Sequence, residues 1–181
     1  MNLAFERILK ADHRFLKELS TLYCDSFPKE ERRDLPELWK MLDESQMYFT
    51  ALLLAGKCVG LLVYWKFDGF LYVEHLAVSP DQRDKGIGSE VLKWTQMQGD
   101  PVLLEVEIPY DLLSLRRVSF YNRCGFYSLP INYFQPPYRV GESLLPMMLF
   151  SDRSDWQEVM LREAIELFHN RVYQYKSNRS V

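Results

Sequence analysis

Three things are scarce in this 181-residue chain: cysteine, net charge and long apolar runs. Its cysteines, Cys24, Cys58 and Cys124, are odd in number and form no CxxC pair. That disfavours both a disulfide framework and a metal site of the zinc type, and it fits a reducing cytoplasm. A formal net charge of -3 with a pI near 5.7 offers no general attraction to phosphate backbones, so nucleic acid is not an expected partner. Residues 1–10 interleave Glu6, Arg7 and Lys10 with short apolar stretches and hold no hydrophobic region of signal-peptide length, so secretion is not expected. The nearest approach to a bilayer span is Met47 to Trp65, which carries one charge, Lys57. Gly56-Lys57 at its midpoint, with the strand-favouring Cys58, Val59, Leu62, Val63, Tyr64 and Trp65 after it, makes this a hairpin rather than a membrane helix. Repeats and low-complexity segments are absent.

What is present is the makeup of one folded domain, with 48% hydrophobic and 26% charged residues. Leu3 to Leu9 reads as an opening strand. Asp12 is placed to cap a helix whose apolar positions Phe15, Leu16, Leu19, Leu22 and Tyr23 recur at helical spacing and which ends before Pro28. A charged link, Ser26 to Arg33, leads to a short helix with Asp34 as cap and Pro36 in its first turn. Strands follow over 46–55, 58–66 and 70–78, then a helix over 86–98, a strand over 102–108 and a helix over 114–123 with Gly125 at its left-handed cap. Two more strands fall near 126–130 and 143–151. A final helix spans 152–171, with Ser154 and Gln157 at capping-box spacing and Trp156, Val159, Met160, Ala164, Leu167 and Phe168 as its apolar stripe. The order predicts an α/β (α+β) chain, a mixed sheet with helices on its faces.

Chemistry concentrates in two segments. The first runs from Val73 to Ser89: a hydrophobic strand, the basic, glycine-bearing loop Arg83-Asp84-Lys85-Gly86-Ile87-Gly88, and a helix N-terminus. Such a turn aims several backbone N–H groups at one point, where the helix dipole also favours an anion. Arg83 and Lys85 add charge, and Gly86 and Gly88 permit close approach to the backbone. Two familiar phosphate motifs do not fit. No lysine stands where a P-loop requires one, and the third glycine of a dinucleotide fingerprint would be Val91. Alone, the loop reads equally as a tight turn into a structural helix. The second segment is a helix that ends in Phe120-Tyr121-Asn122-Arg123-Cys124-Gly125-Phe126.

Together, separated by a helix and a strand, these two segments resemble the paired motifs of the GCN5-related N-acetyltransferases, the GNAT superfamily. The resemblance implies a mixed sheet of about seven strands, splayed between strands 70–78 and 102–108 with acyl-CoA in the gap, and helices on both faces. It implies a catalytic domain over 1–151; beyond it the sequence itself reads as an extra C-terminal helix over 152–174 packed on that domain and a polar tail over 175–181. Arg83, Asp84, Lys85, Gly86, Ile87, Gly88 and Ser89 would bind the pyrophosphate of acetyl-CoA, largely through main-chain amides. Leu76, Ala77 and Val78 would pair with the pantetheine arm as if it were a missing strand, and an N–H near Leu76 would stabilise the oxyanion. Tyr121 matches the tyrosine that protonates the departing thiolate, a role suited to a phenol with a pKa of about 10.

The resemblance also implies a base for the incoming amine, commonly a carboxylate on the fourth or fifth strand acting through water. Glu74, Glu105 and Glu107 are the candidates, with Glu74 first and Glu107 second. Strand alternation sets Tyr72, Glu74, Leu76 and Val78 on one face and His75 on the other. The competing reading of Glu74 is a salt-bridged strand residue. Two positions depart from the family pattern: Ser114 replaces the usual Asn seven residues before the tyrosine, and Arg117 the usual small residue four before it. Ser114 is then a candidate cap for the helix. His75 and Cys124 read as packing residues. Arg32, Arg33 and Arg139 lie in links that commonly wall the acceptor site. The expected activity is transfer of the acetyl group of acetyl-CoA, without metal, to a primary amine of a small molecule or peptide. The alternative is a non-catalytic CoA-binding module on the same fold. The final helix and the hairpin fit either cover for the domain's own sheet or a homodimer contact.

Overall fold

The structure, a computed structural model, describes residues 1–175. The near-neutral run that approaches bilayer length folds as the predicted hairpin: β2 (Met47–Leu54) and β3 (Lys57–Phe67) pair antiparallel. Its turn is Ala55-Gly56, both at positive φ (50° and 77°), the backbone demanded by a two-residue hairpin loop whose twist matches its strands. Lys57 therefore opens β3 instead of sitting in the turn. Asp68-Gly69 makes the second reversal, and β4 (Phe70–Val78) returns along β3, while β1 (Leu3–Arg7) lines the far side of β2. Met47, Phe49, Leu52, Leu61, Leu62 and Tyr72 have no solvent exposure. Each side chain of this size adds about 1.5–3 kcal/mol through burial.

Helices cover both faces of this sheet. Neighbouring residues on a strand point to opposite faces, and Tyr64 meets Trp94 of α3 (Ile87–Gln96), whereas Trp65 faces the segment after α1 (Leu16–Ser26) through Arg33. A short α2 (Leu35–Lys40) follows Asp34 with Pro36 in its first turn, as the sequence predicts. The start of α1 differs. Asp12 does not cap it; the helix begins at Leu16 behind Phe15. His13 Nδ1 takes the Phe15 N–H at 3.3 Å, and its Nε2 lies 2.9 Å from Glu6 on β1, so residue 13 is tied to the sheet.

The chain divides into two compact units, Met1–Val102 and Leu103–Val181. The second is organised around β8 (Leu145–Ser151), which pairs antiparallel with β5 (Val102–Glu107), β6 (Tyr127–Ser128) and β7 (Tyr133–Gln135). The described residues thus contain eight strands, not about seven. β7 is three residues between Pro130 and Pro136, too short to leave an alternating pattern. Between β5 and β6 lies α4 (Leu112–Arg123), capped by Asp111, whose carboxylate accepts the Ser114 N–H at 2.7 Å while Ser114 Oγ accepts the Asp111 N–H at 3.0 Å. Ser114 is the third residue of the helix, not its cap.

The last helix, α5 (Glu158–Val172), starts six residues later than its sequence pattern suggests, and the Ser154/Gln157 capping box does not form. Trp156 lies outside it and donates Nε1–H to Ser151 Oγ at 2.8 Å. The buried stripe is Leu161, Ala164, Phe168 and Val172, leaving Val159 and Met160 exposed. The expected tail over 175–181 lies, apart from Tyr175, outside the described residues. Among the described residues no helix is long and apolar enough to cross a membrane.

Candidate active site

The glycine-bearing loop forms as its residue types require. After β4, a 3-10 turn over Pro80–Gln82 leads through Asp84 (φ 61°) to Gly86 (φ 79°), which is the residue before α3. Backbone that alternates hands in this way turns successive N–H groups toward one point and forms an anion-binding concavity. No side chain caps α3, and a Cβ placed on Gly86 would meet nothing within 4 Å. Residues 83–86 and 89 are exposed. Arg83 and Lys85 bend back on the loop: Arg83 Nε donates to the Val78 carbonyl at 3.2 Å, and Lys85 Nζ to the Asp81 carbonyl at 2.8 Å. Their charge stays beside the cradle while their side chains brace it.

Upstream, Leu76, Ala77 and Val78 pair with Leu62, Leu61 and Gly60 of β3. Gly60 is there for close approach: a Cβ on it would collide with the Ala77 carbonyl oxygen and stand 3.2 Å from Val78 Cα. A lone glycine inside an apolar strand is the signal that would have singled it out.

Glu74 breaks the strand's alternation. Val63 pairs with His75 and Tyr64 with Val73, so Glu74 is the extra residue of a β-bulge. Tyr72 and His75 then share the α1 face, and Leu76 and Val78 fall on the α3 face, a correction to the simple alternation read from the sequence. Glu74 and His75 are close rather than opposed, with Glu74 Oε1 3.7 Å from His75 Nδ1. The Glu74 carboxylate has no exposed surface and pairs with the 5%-exposed guanidinium of Arg33. Its other oxygen accepts Trp65 Nε1–H at 2.7 Å. His75 donates Nε2–H to the Glu31 carbonyl at 2.9 Å, and its rings of contact are Tyr23 and Phe27. Burial holds His75 below its ordinary pKa, so it is neutral. Tyr23 Oη accepts the Arg33 N–H at 3.0 Å. A carboxylate enclosed in this way does not meet the expectation of a base for the incoming amine. Arg33 likewise points inward to Glu74, not outward to an acceptor.

In the second unit, Tyr121 lies near the end of α4 among the rings of Phe120, Phe126 and Phe150. Gly125 (φ 82°) closes the helix there, and Phe126 N–H returns to the Tyr121 carbonyl at 3.1 Å. Burial pushes the phenol up to about 12, with the Arg117 charge opposing. The Tyr121 hydroxyl makes no hydrogen bond among the described residues. Glu107 pairs with Arg117. Glu105 accepts the phenol protons of Tyr133 and of Tyr173, the latter at 2.6 Å. His169 Nε2 lies 2.8 Å from Tyr133 Oη. Because Tyr133 gives its proton to Glu105, His169 is the donor in that bond. Burial lowers His169 to about 4, which keeps it neutral. Tyr133, His169 and Tyr173 escaped the sequence reading; only a long-range contact between a short strand and the last helix brings them together. All three candidate carboxylates thus carry partners.

These segments recur in known proteins. The model of the acetyltransferase (GNAT) family matches residues 16–126. A Bacillus subtilis protein, YjbC, which carries a provisional acetyltransferase name, is 28% identical over 159 residues, covering 84% of this chain and 80% of its own. A Bacteroides thetaiotaomicron structure, provisionally named a GNAT-family acetyltransferase, superposes with a TM-score of 0.86 at 34% identity, covering 96% of this chain and 99% of that one. A GNAT acetyltransferase from Elizabethkingia anophelis, solved with acetyl-CoA bound, shares the fold at a TM-score of 0.56 and 16% identity, over 83% of this chain and 97% of its own. Cradle, bulged strand and Tyr-x-x-x-Gly-Phe helix end all lie within the matched span, and this chain belongs to the acetyltransferase (GNAT) family.

Proposed function

We propose that this protein transfers the acetyl group of acetyl-CoA to a primary amine of a small molecule or peptide, by direct attack in a ternary complex. The observation that carries the reading is the uncapped, left-handed turn at Asp84 and Gly86 before α3, directly after β4. Residues 83–89 offer backbone donors and adjacent positive charge to a pyrophosphate. Leu76, Ala77 and Val78 offer strand hydrogen bonds to the pantetheine amides. In this reading an N–H near Leu76 stabilises the oxyanion formed when the amine attacks the thioester carbonyl. Tyr121 gives its phenolic proton to the departing thiolate sulfur, a role supported by its uncommitted hydroxyl. Glu74 enters as a positioning residue that fixes Arg33 and Trp65, and the proton of the ammonium goes to solvent before attack.

The test begins with a thermal-shift comparison of acetyl-CoA, CoA and ATP. A ligand at one hundred times its Kd stabilises by about 2.7 kcal/mol, a rise of roughly 5 to 10 °C for this chain length. Acetyl-CoA and CoA should shift the melting temperature and ATP should not. Release of free thiol is then followed across a panel of primary amines: an amino acid, a polyamine, an aminosugar and short peptides. Amine-dependent release identifies the acceptor. A protein that binds CoA but releases no thiol above background with any of them is a binding module, and the proposal falls.

A further inference from the structure

We propose that Arg117, anchored by Glu107, is a positioning residue that makes Tyr121 a more effective acid toward the departing thiolate. The inference rests on the reading of Tyr121 as that acid, and its observations are separate. Arg117 precedes Tyr121 by four residues on α4, so the two side chains lie on one face of the helix, a turn apart. Its guanidinium is tethered: Nη1 donates to Glu107 Oε1 on β5. Arg117 is 41% exposed and Glu107 15%, so the pair is partly shielded from water and from salt. Nε and Nη2 of Arg117 make no hydrogen bond among the described residues, so the cation is held by a single oxygen and its field is not cancelled on the side away from Glu107.

The surroundings of Tyr121 make such a charge consequential. Its ring neighbours are Phe120, Phe126 and Phe150, which hydrate no anion. Burial disfavours the phenolate most; Arg117 is the next largest influence and acts against burial, while Cys124 and Glu107 reinforce burial more weakly. Those three are the titratable or charged groups felt by the phenol.

In the reaction the amine nitrogen donates its lone pair to the thioester carbonyl carbon, and collapse of the tetrahedral intermediate breaks the C–S bond with its electron pair on sulfur. Tyr121 passes its O–H proton to that sulfur and becomes a phenolate, while the nitrogen's second proton leaves to solvent, from which the phenolate is later reprotonated. A negative charge therefore forms on a half-buried phenol packed among aromatic rings, one turn from a fixed cation. A small aliphatic side chain at this position would leave that anion without a counter-charge.

The experiment measures thiol release from acetyl-CoA, with the best amine found or with water as acceptor, in Arg117→Met, Arg117→Lys, Tyr121→Phe and the Arg117→Met/Tyr121→Phe double variant. Arg117→Met should lower kcat, by up to about tenfold for each pKa unit lost from the acid's strength. KM for acetyl-CoA should stay within about twofold, and Arg117→Lys should recover most of the loss. In the Tyr121→Phe background, Arg117→Met should cost nothing further. An unchanged kcat in Arg117→Met overturns the inference, as does a loss confined to KM, which would make Arg117 a cofactor-binding residue, or a full further loss in the double variant. Full activity in Tyr121→Phe alone is a different result: it removes the acid itself.

Discussion

Replacing Glu74 with Gln tests what that residue is for. The substitution keeps the shape and deletes the charge, leaving the Arg33 guanidinium, 5% exposed, without its anion. Removing one partner of a buried ion pair costs about 3–5 kcal/mol, because the remaining charge stays desolvated. For a chain of this length each kcal/mol moves Tm by about 2–4 °C, so the expected fall lies between about 6 and 20 °C. Differential scanning calorimetry or urea unfolding, with and without acetyl-CoA, measures it. The double variant Glu74→Leu/Arg33→Met removes both charges together and should regain most of the loss, since apolar replacement of a whole buried pair is often neutral or better. Acetyl-CoA binding, whose contacts are expected from residues 76–78 and 83–89, should persist below the new Tm. The reasoning is refuted if Glu74→Gln melts within about 2 °C of the parent while kcat collapses and the acidic limb of its pH profile disappears. That pattern would mark Glu74 as a proton acceptor despite its enclosure.

Three other outcomes are expected. Gly60→Ala drives a methyl into the Ala77 carbonyl; it should destabilise by about 1–3 kcal/mol and raise KM for acetyl-CoA, whereas an unchanged KM would detach the β4 edge from cofactor binding. Gly86→Ala meets open space but must hold φ 79°, a backbone that costs a side-chain-bearing residue about 1–2 kcal/mol; its urea midpoint and its CoA affinity should both fall, and parent-like values would contradict the role given to this turn. Burial lowers the pKa of both His75 and His169, the latter to about 4, so between pH 6.5 and about 4 the unfolded chain binds more protons than the folded one and stability drops as the pH is lowered. His169→Gln should flatten that decline by an amount on the order of 3 kcal/mol at its acid end, and a urea-midpoint profile parallel to the parent's would show that His169 is not held neutral.

How far the sequence disclosed the fold depended on whether a signal was local. The hairpins, the β4-to-α3 turn and the Gly125 helix end are written in turn residues and periodicity, and their boundaries agree with the structure to within a residue or two. The opening of α5 was misplaced because Ser154 and Gln157 have the right spacing, but Trp156 is drawn back to Ser151 by a hydrogen bond that spacing does not encode. Asp12 does not cap α1 for a similar reason: the chain just before the helix is held by His13, which ties it to Glu6 on another element, and the helix starts only at Leu16. At the candidate site, residues 76–89 were legible as a strand-loop-helix cradle. The orientation of Glu74 was not, since alternation assumes a regular strand and the bulge appears only once β3 and β4 are set in register. Arg33 shows the same limit: its place in a link that commonly walls the acceptor site suggested an outward role, and only the fold supplies the buried anion that turns it inward.

The extra residue at position 74 gives β4 two reading frames. Phe70 to Val73 follow one phase along β3, and His75 to Val78 follow the other. Substitutions on either side of the offset therefore answer to different neighbours, the first group to the sheet's packing and the second to whatever lies along residues 76–78. Loss of a residue on either side of Glu74 would bring the two phases into line only by exchanging the faces of one group, whereas loss of Glu74 itself would remove the offset and leave every neighbour on its own face. This strand should accordingly accept changes of side chain far more readily than changes of length, and a library of single-residue deletions across 70–78, scored for soluble expression, should be depleted through loss of register at every position except 74, where the cost is instead the lost partner of Arg33.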